Sequence, residues 1–95
     1  MQVTVRFAGP LRALAAQQSL TISLAAGATL RDLLRALPDL LPVSFAEQVL
    51  RPLEAGTAPL TLLLLNSNHL RAPADLQRPL AEGDVVAFVP PMGGG

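Results

Sequence analysis

Val3, Val5 and Phe7 alternate with Gln2, Thr4 and Arg6. A period of two predicts a half-buried strand with its three apolar side chains on one face. Gly9-Pro10 stops it. Leu11 to Ala16 has helical propensity but is too short for a secure helix, so it reads as a long hairpin connection holding a helical turn. Leu20, Ile22 and Leu24 then alternate with Thr21 and Ser23. Two strands this close in sequence are most simply an antiparallel pair.

The period changes after Ala26-Gly27. Leu30, Leu33, Leu34 and Leu37 fall at i, i+3, i+4 and i+7, one apolar stripe with Arg31, Asp32 and Arg35 off it. Thr29 precedes the stripe and Asp32 follows three residues later, a variant of the capping box. The Thr29 hydroxyl can accept from the Asp32 N–H, and the Asp32 carboxylate sits near the positive end of the helix dipole. Pro38 ends this helix near Leu37. Each buried leucine contributes about 1.5–3 kcal/mol, which makes the helix the main cover of a sheet.

Ser44 and Glu47 repeat the capping signal, and Ala46, Val49 and Leu50 extend it into a short helix that Pro52 limits to about Arg51. Residues 54–59 form a loop centred on Gly56. Leu60 to Leu65 is apolar on both faces, which predicts a central strand or a partner on its outer face. Asn66-Ser67-Asn68 is a turn, and His69-Leu70-Arg71 a short return strand. Residues 72–81 read as a loop anchored by Leu76 and Leu80. Glu82-Gly83-Asp84 is a tight turn into a last strand, Val85 to Val89, which Pro90 ends.

This order predicts an α+β fold with the helix on one sheet face. The last strand is almost wholly apolar and needs a central slot. Placed parallel to the first strand, with the helix crossing over the sheet, it gives a β-grasp (ubiquitin-like) mixed sheet. The expected organisation is a β-grasp domain over 1–89 and a flexible tail over 90–95. With Val86 and Phe88 turned to the core, Val85, Ala87 and Val89 point away from the helix. Leu63 or Leu65 and His69 are expected to join them in an apolar patch beside the tail, which predicts a partner site.

Composition narrows the chemistry. Ninety-five residues suit one domain. There is no cysteine, hence no disulfide, thiolate metal site or cysteine nucleophile, and one histidine, His69, cannot build a metal cluster. No apolar run approaches the roughly 18 residues of a membrane span. The first residues lack the basic and apolar regions of a signal peptide, so a cytoplasmic protein with no membrane partner is expected. The formal net charge is zero, which argues against nucleic acid as a partner. All seven cations are arginines. Asp32 and Glu47 read as helix caps, Glu82 and Asp84 as turn formers, His69 as a turn or interface residue, and Arg12 as a loop arginine able to meet an acidic surface. No pair of side chains suggests a self-contained active site.

The tail, Pro90-Pro91-Met92-Gly93-Gly94-Gly95, carries no reactive side chain. It offers an α-carboxylate, with a pKa of about 3.3–3.7, on a glycine thread. Six extended residues span at most about 20 Å, enough to enter a partner's buried site. Glycine passes a narrow channel without Cβ clashes, and the two prolines lower the entropy cost of threading because their φ is already set.

The run Gly83-Asp84-Val85-Val86-Ala87-Phe88-Val89-Pro90-Pro91-Met92-Gly93-Gly94-Gly95 closely resembles the ending of MoaD/ThiS-like sulfur carriers, in particular the small subunits of molybdopterin synthase (MoaD). In that family a Gly-Asp turn leads into a strand, then Pro-Pro, one or two variable residues and a terminal Gly-Gly. Val3-Thr4-Val5-Arg6-Phe7 followed by Gly9-Pro10-Leu11-Arg12 is similar to the family's first strand and loop. Leu65-Asn66 is similar to its Val-Asn-Gly segment, with Ser67 where glycine is usual, and the third terminal glycine is a further departure.

The resemblance implies a carrier that is not itself a catalyst and binds no cofactor. A MoeB-like adenylating enzyme would use ATP to activate Gly95, and sulfur would replace oxygen to give a thiocarboxylate. A MoaE-like large synthase subunit would receive the tail and pass the sulfur to a pterin precursor in molybdenum cofactor biosynthesis. On this reading Gly95 is the acyl carrier, while Pro90, Pro91, Met92, Gly93, Gly94, Val89, Ala87 and His69 meet the partner. The same tail suits carriers for thiamine, cysteine or tRNA thiolation, and a ubiquitin-like modifier that joins lysines on other proteins. A plain binding module with an incidental tail is the third class.

Overall fold

The period-two segments become strands. β1 spans Gln2–Phe7 and buries Val3, Val5 and Phe7, and β2 spans Ser19–Ser23. The structure is a computed structural model and describes residues 1–55, 61–71 and 74–90. Between the two strands lies a five-residue helix, α1 (Leu11–Ala15), which ends at Ala16 with φ +63°. The helical turn expected there is thus a complete short helix, seated by the buried side chains of Leu11 and Ala15.

The main helix, α2, runs Leu30–Ala36 behind the predicted capping box. Thr29 N–H donates to Asp32 Oδ2 at 2.9 Å, and Asp32 N–H donates to Thr29 Oγ1 at 3.3 Å. Leu30, Leu33 and Leu34 are buried on its inner face. Leu37 and Pro38 continue it as one 3₁₀ turn, Leu37–Asp39, and Leu37 is fully buried.

The second helical segment departs from expectation at both ends. Its cap is Pro42, in extended conformation, and the helix α3 begins at Val43, so Ser44 lies within the first turn and makes no capping bond. The chain then winds as a π-helical stretch, Ala46–Leu50, and continues as α4 (Arg51–Ala55) straight through Pro52. Proline inside a helix removes one i−4 donor and crowds the carbonyl there. The wider turn, with Arg51 N–H donating to Ala46 O, precedes Pro52 and shifts the register, so the helix does not stop. Glu54 and Ala55, expected in a loop, are therefore helical. The rest of that loop, with Leu60 of the predicted strand, lies outside the described residues, as does Pro73.

β3 (Leu62–Leu65) turns through Asn66 and Ser67, both at positive φ, into β4 (Asn68–Leu70). A 3₁₀ turn over Ala74–Gln77 follows, with Leu76 and Leu80 buried as anchors. β5 (Val85–Val89) completes a sheet of order β2-β1-β5-β3-β4. β1 pairs antiparallel with β2 and parallel with β5, and β5 pairs antiparallel with β3. This is the predicted β-grasp arrangement. The helices pack on the inner face, where Val3, Val5, Phe7, Leu63, Val86 and Phe88 join the α2 leucines and Phe45 in one core.

Candidate functional site

β5 runs directly into Pro90, so everything that fixes β5 fixes where Pro90 sits. Its start is held by two turns. Gly83, at φ +82°, lets the chain reverse, and Asp84 closes the turn by accepting from Ala81 N–H at 2.8 Å. Asn66 ties this turn to the end of β3: its Nδ2 donates to Asp84 Oδ1 at 2.9 Å, and its Oδ1 accepts from Val85 N–H at 2.9 Å. The Gly-Asp and Leu-Asn segments singled out in the sequence are thus two halves of one clamp.

At its far end, β5 leaves beside the β1–α1 corner. Ala8 N–H donates to Phe88 O at 3.0 Å, one rung beyond β1 itself. Arg12 Nε donates to Phe7 O at 3.3 Å, so the exposed Arg12 side chain lies back along this corner. Gly9, at φ +57°, turns the chain within contact distance of Pro90.

Along β5, Val86 and Phe88 are fully buried while Val85, Ala87 and Val89 are half-buried on the outer face. Pairing extends that face across the sheet. Val89 lies opposite Leu62, Ala87 opposite Leu64, and Leu64 opposite His69. On the other side Ala87 lies opposite Arg6. This corrects one expectation: Leu63 and Leu65 belong to the core, and Leu62 and Leu64 are the residues that join Ala87 and Val89. An open concavity of about 550 Å³ lies on this face, with Arg6, Ala8, Arg12, Leu64, Val85 and Ala87 in its lining.

The structure thus brings Ala87, Val89, His69 and Pro90 to one face and its tail-proximal edge. Pro91, Met92, Gly93, Gly94 and Gly95 lie outside the described residues. Leu62, Leu64, Arg6 and Gly9 are additions that sequence reasoning did not assign. Among the described residues no three His, Asp or Glu side chains converge as a metal site, and no helix is long and apolar enough to cross a membrane. The face offers apolar contact, two exposed arginines and a strand end. That arrangement suits docking and delivery of a peptide terminus.

The pattern of the ThiS family matches residues 5–95. No curated protein sequence matches the chain. Solved structures do. A Pyrococcus furiosus chain assigned as molybdopterin converting factor subunit 1 is 26% identical, covering 96% of this chain and 98% of that one with a TM-score of 0.77. The small archaeal modifier protein 1 of Methanosarcina acetivorans is 26% identical, covering 99% and 96% with a TM-score of 0.72. A complex of subunits 1 and 2 of molybdopterin-converting factor from Helicobacter pylori matches at 25% identity, covering 100% of each chain with a TM-score of 0.67. With the match running from β1 through the terminal glycines, the chain belongs to the ThiS family of ubiquitin-like sulfur carriers.

Proposed function

We propose that the chain carries sulfur for molybdopterin synthesis as a thiocarboxylate on Gly95. Residues 1–89 are the body and 90–95 the delivered tail. The observation that carries this reading is the family match over residues 5–95, which includes the Pro-Pro and glycine tail as well as the fold. The likeness to subunit 1 of molybdopterin-converting factor from two organisms favours the pterin branch.

In the proposed sequence the Gly95 carboxylate attacks the α-phosphorus of ATP on an adenylating partner and pyrophosphate leaves. A sulfur donor then displaces AMP at the acyl carbon, giving the thiocarboxylate. The large synthase subunit binds the outer sheet face and admits Pro91 to Gly95; the sulfur passes to the pterin precursor, and water at the acyl carbon returns Gly95 to its carboxylate. The chain binds no cofactor and supplies no catalytic side chain. Its work is to present one reactive terminus, in the cytoplasm, to successive partners.

The test is truncation. Protein lacking Gly94 and Gly95 is expected to keep its melting temperature and lose pterin sulfuration in a reaction reconstituted with a large subunit. Full sulfuration by the truncated chain contradicts the proposal. A second reading is a protein modifier, favoured by the likeness to small archaeal modifier protein 1. It predicts adducts of this chain on lysines of other proteins. The chain has no lysine of its own, so side-chain-linked chains of itself are not expected under either reading.

A further inference from the structure

The parallel ladder between β1 and β5 stops at a defined point. Ala8 N–H donates to Phe88 O at 3.0 Å. In a parallel register the next rung runs from the N–H of residue 90 to Ala8 O. Pro90 has no N–H to give. Ala8 O instead accepts from Leu11 N–H at 3.2 Å, in the first turn of α1. So β5 loses its partner where β1 bends away at Gly9, at φ +57°. The departing segments run close there: a Cβ on Gly9 would lie 3.3 Å from Pro90 Cγ and 3.7 Å from Cδ.

We infer that Gly9 is a positioning residue for the tail: its bare backbone seats the Pro90 ring and so sets the direction in which the chain leaves the sheet. The inference rests on the reading of the tail as the delivered group. Gly9 has two possible duties, and they are separable. One is the positive φ, which glycine and asparagine accept and most residues do not. The other is the missing Cβ, which leaves room for the ring. Gly9→Asn keeps the first and removes the second, and Pro90→Gly removes the ring itself.

The chain has no cysteine, so Met92→Cys gives a single site for a nitroxide label. Paramagnetic broadening of the body's amides then reports where the tail goes. The measurement needs four proteins: the labelled parent, Gly9→Asn, Pro90→Gly and the double variant. Gly9→Asn is expected to shift the set of broadened amides when Pro90 is present. It is expected to add no shift once position 90 is glycine. An unchanged set in Gly9→Asn overturns the inference. So does an equal shift in both backgrounds, which would mean that the Gly9 turn acts without the ring.

If Gly9→Asn does not fold, Gly9→Asp carries the same Cβ and also accepts the left-handed region. Recovery of folding by Pro90→Gly supports the seat, whereas failure in both backgrounds reduces Gly9 to a backbone requirement and overturns it. No step uses ATP or sulfur. A shifted tail on a protein that never acquires sulfur would contradict the carrier reading alone.

Discussion

Phe7 and Phe88 lie opposite each other in the parallel register of β1 and β5, and their rings stack with centroids 5.7 Å apart and planes 19° apart. Phe45 meets both edge-on, at 5.2 Å and 5.4 Å. The three phenylalanines of the chain thus form one cluster that ties the first strand, the last strand and the helical segment together. Edge-to-face and offset-stacked geometries add to the area buried. Phe88 of this cluster lies two residues before Pro90, so the end of β5 is anchored in the core.

Phe45→Ala is therefore expected to cost about 3–5 kcal/mol, by lost burial and the cavity left behind. Urea denaturation followed by circular dichroism measures it. A loss below about 1 kcal/mol would mean that the cluster is not the core's keystone.

Val89→Asp tests the assignment of faces. Val89 is half-buried, beside Leu62 on the outer face. A charge there is expected to change stability by no more than about 1 kcal/mol while weakening binding of a large synthase subunit by at least tenfold. Calorimetric titration and a thermal melt on the same sample decide it. A large fall in melting temperature with unchanged binding would contradict the docking face.

Asn66→Gly removes the clamp at the start of β5 while keeping a residue that accepts φ +49°. Two hydrogen bonds are lost, at an exposed site, so the expected cost is about 1–2 kcal/mol. Faster amide exchange at Val85 than at Phe88 would locate the damage at the strand's start. Uniform loss of protection would place it elsewhere.

The capping box predicts an acid dependence. The Asp32 carboxylate is held below its usual pKa of 3.8, first by the Thr29 backbone N–H, then by the Thr29 hydroxyl, with Arg35 and Arg31 adding smaller effects. A folded pKa below the unfolded one means that Asp32 binds its proton more readily when unfolded. Its contribution is present above 3.8 and is lost as pH falls through the lower folded value. The stability difference between the parent and Asp32→Asn should therefore shrink on acidification below 3.8. A difference constant across that window would contradict the cap.

What the sequence discloses follows how local each cause is. The alternation of Val3, Val5 and Phe7, the leucine stripe of α2 and the Thr29–Asp32 box act within a few residues, and all three are realised. The four leucines of β3 carry no alternation, so their faces depend on pairing with β5, and the outward pair is Leu62 and Leu64. Pro52 stops a regular helix but not one that has already widened to a π turn, and nothing in the residues before it announces that turn. The close approach of Gly9 and Pro90 joins residues far apart in sequence. Each is marked locally as a break, yet only the parallel sheet brings them together.

Intact-mass spectrometry of the protein isolated from cells reads the chemical state of Gly95 itself. A carrier is expected to show a population heavier by the exchange of one oxygen for sulfur, with fragmentation placing the gain on Gly95. A protein of unmodified mass at Gly95 under conditions of active cofactor synthesis, or one found only as adducts on lysines of other proteins, would contradict it.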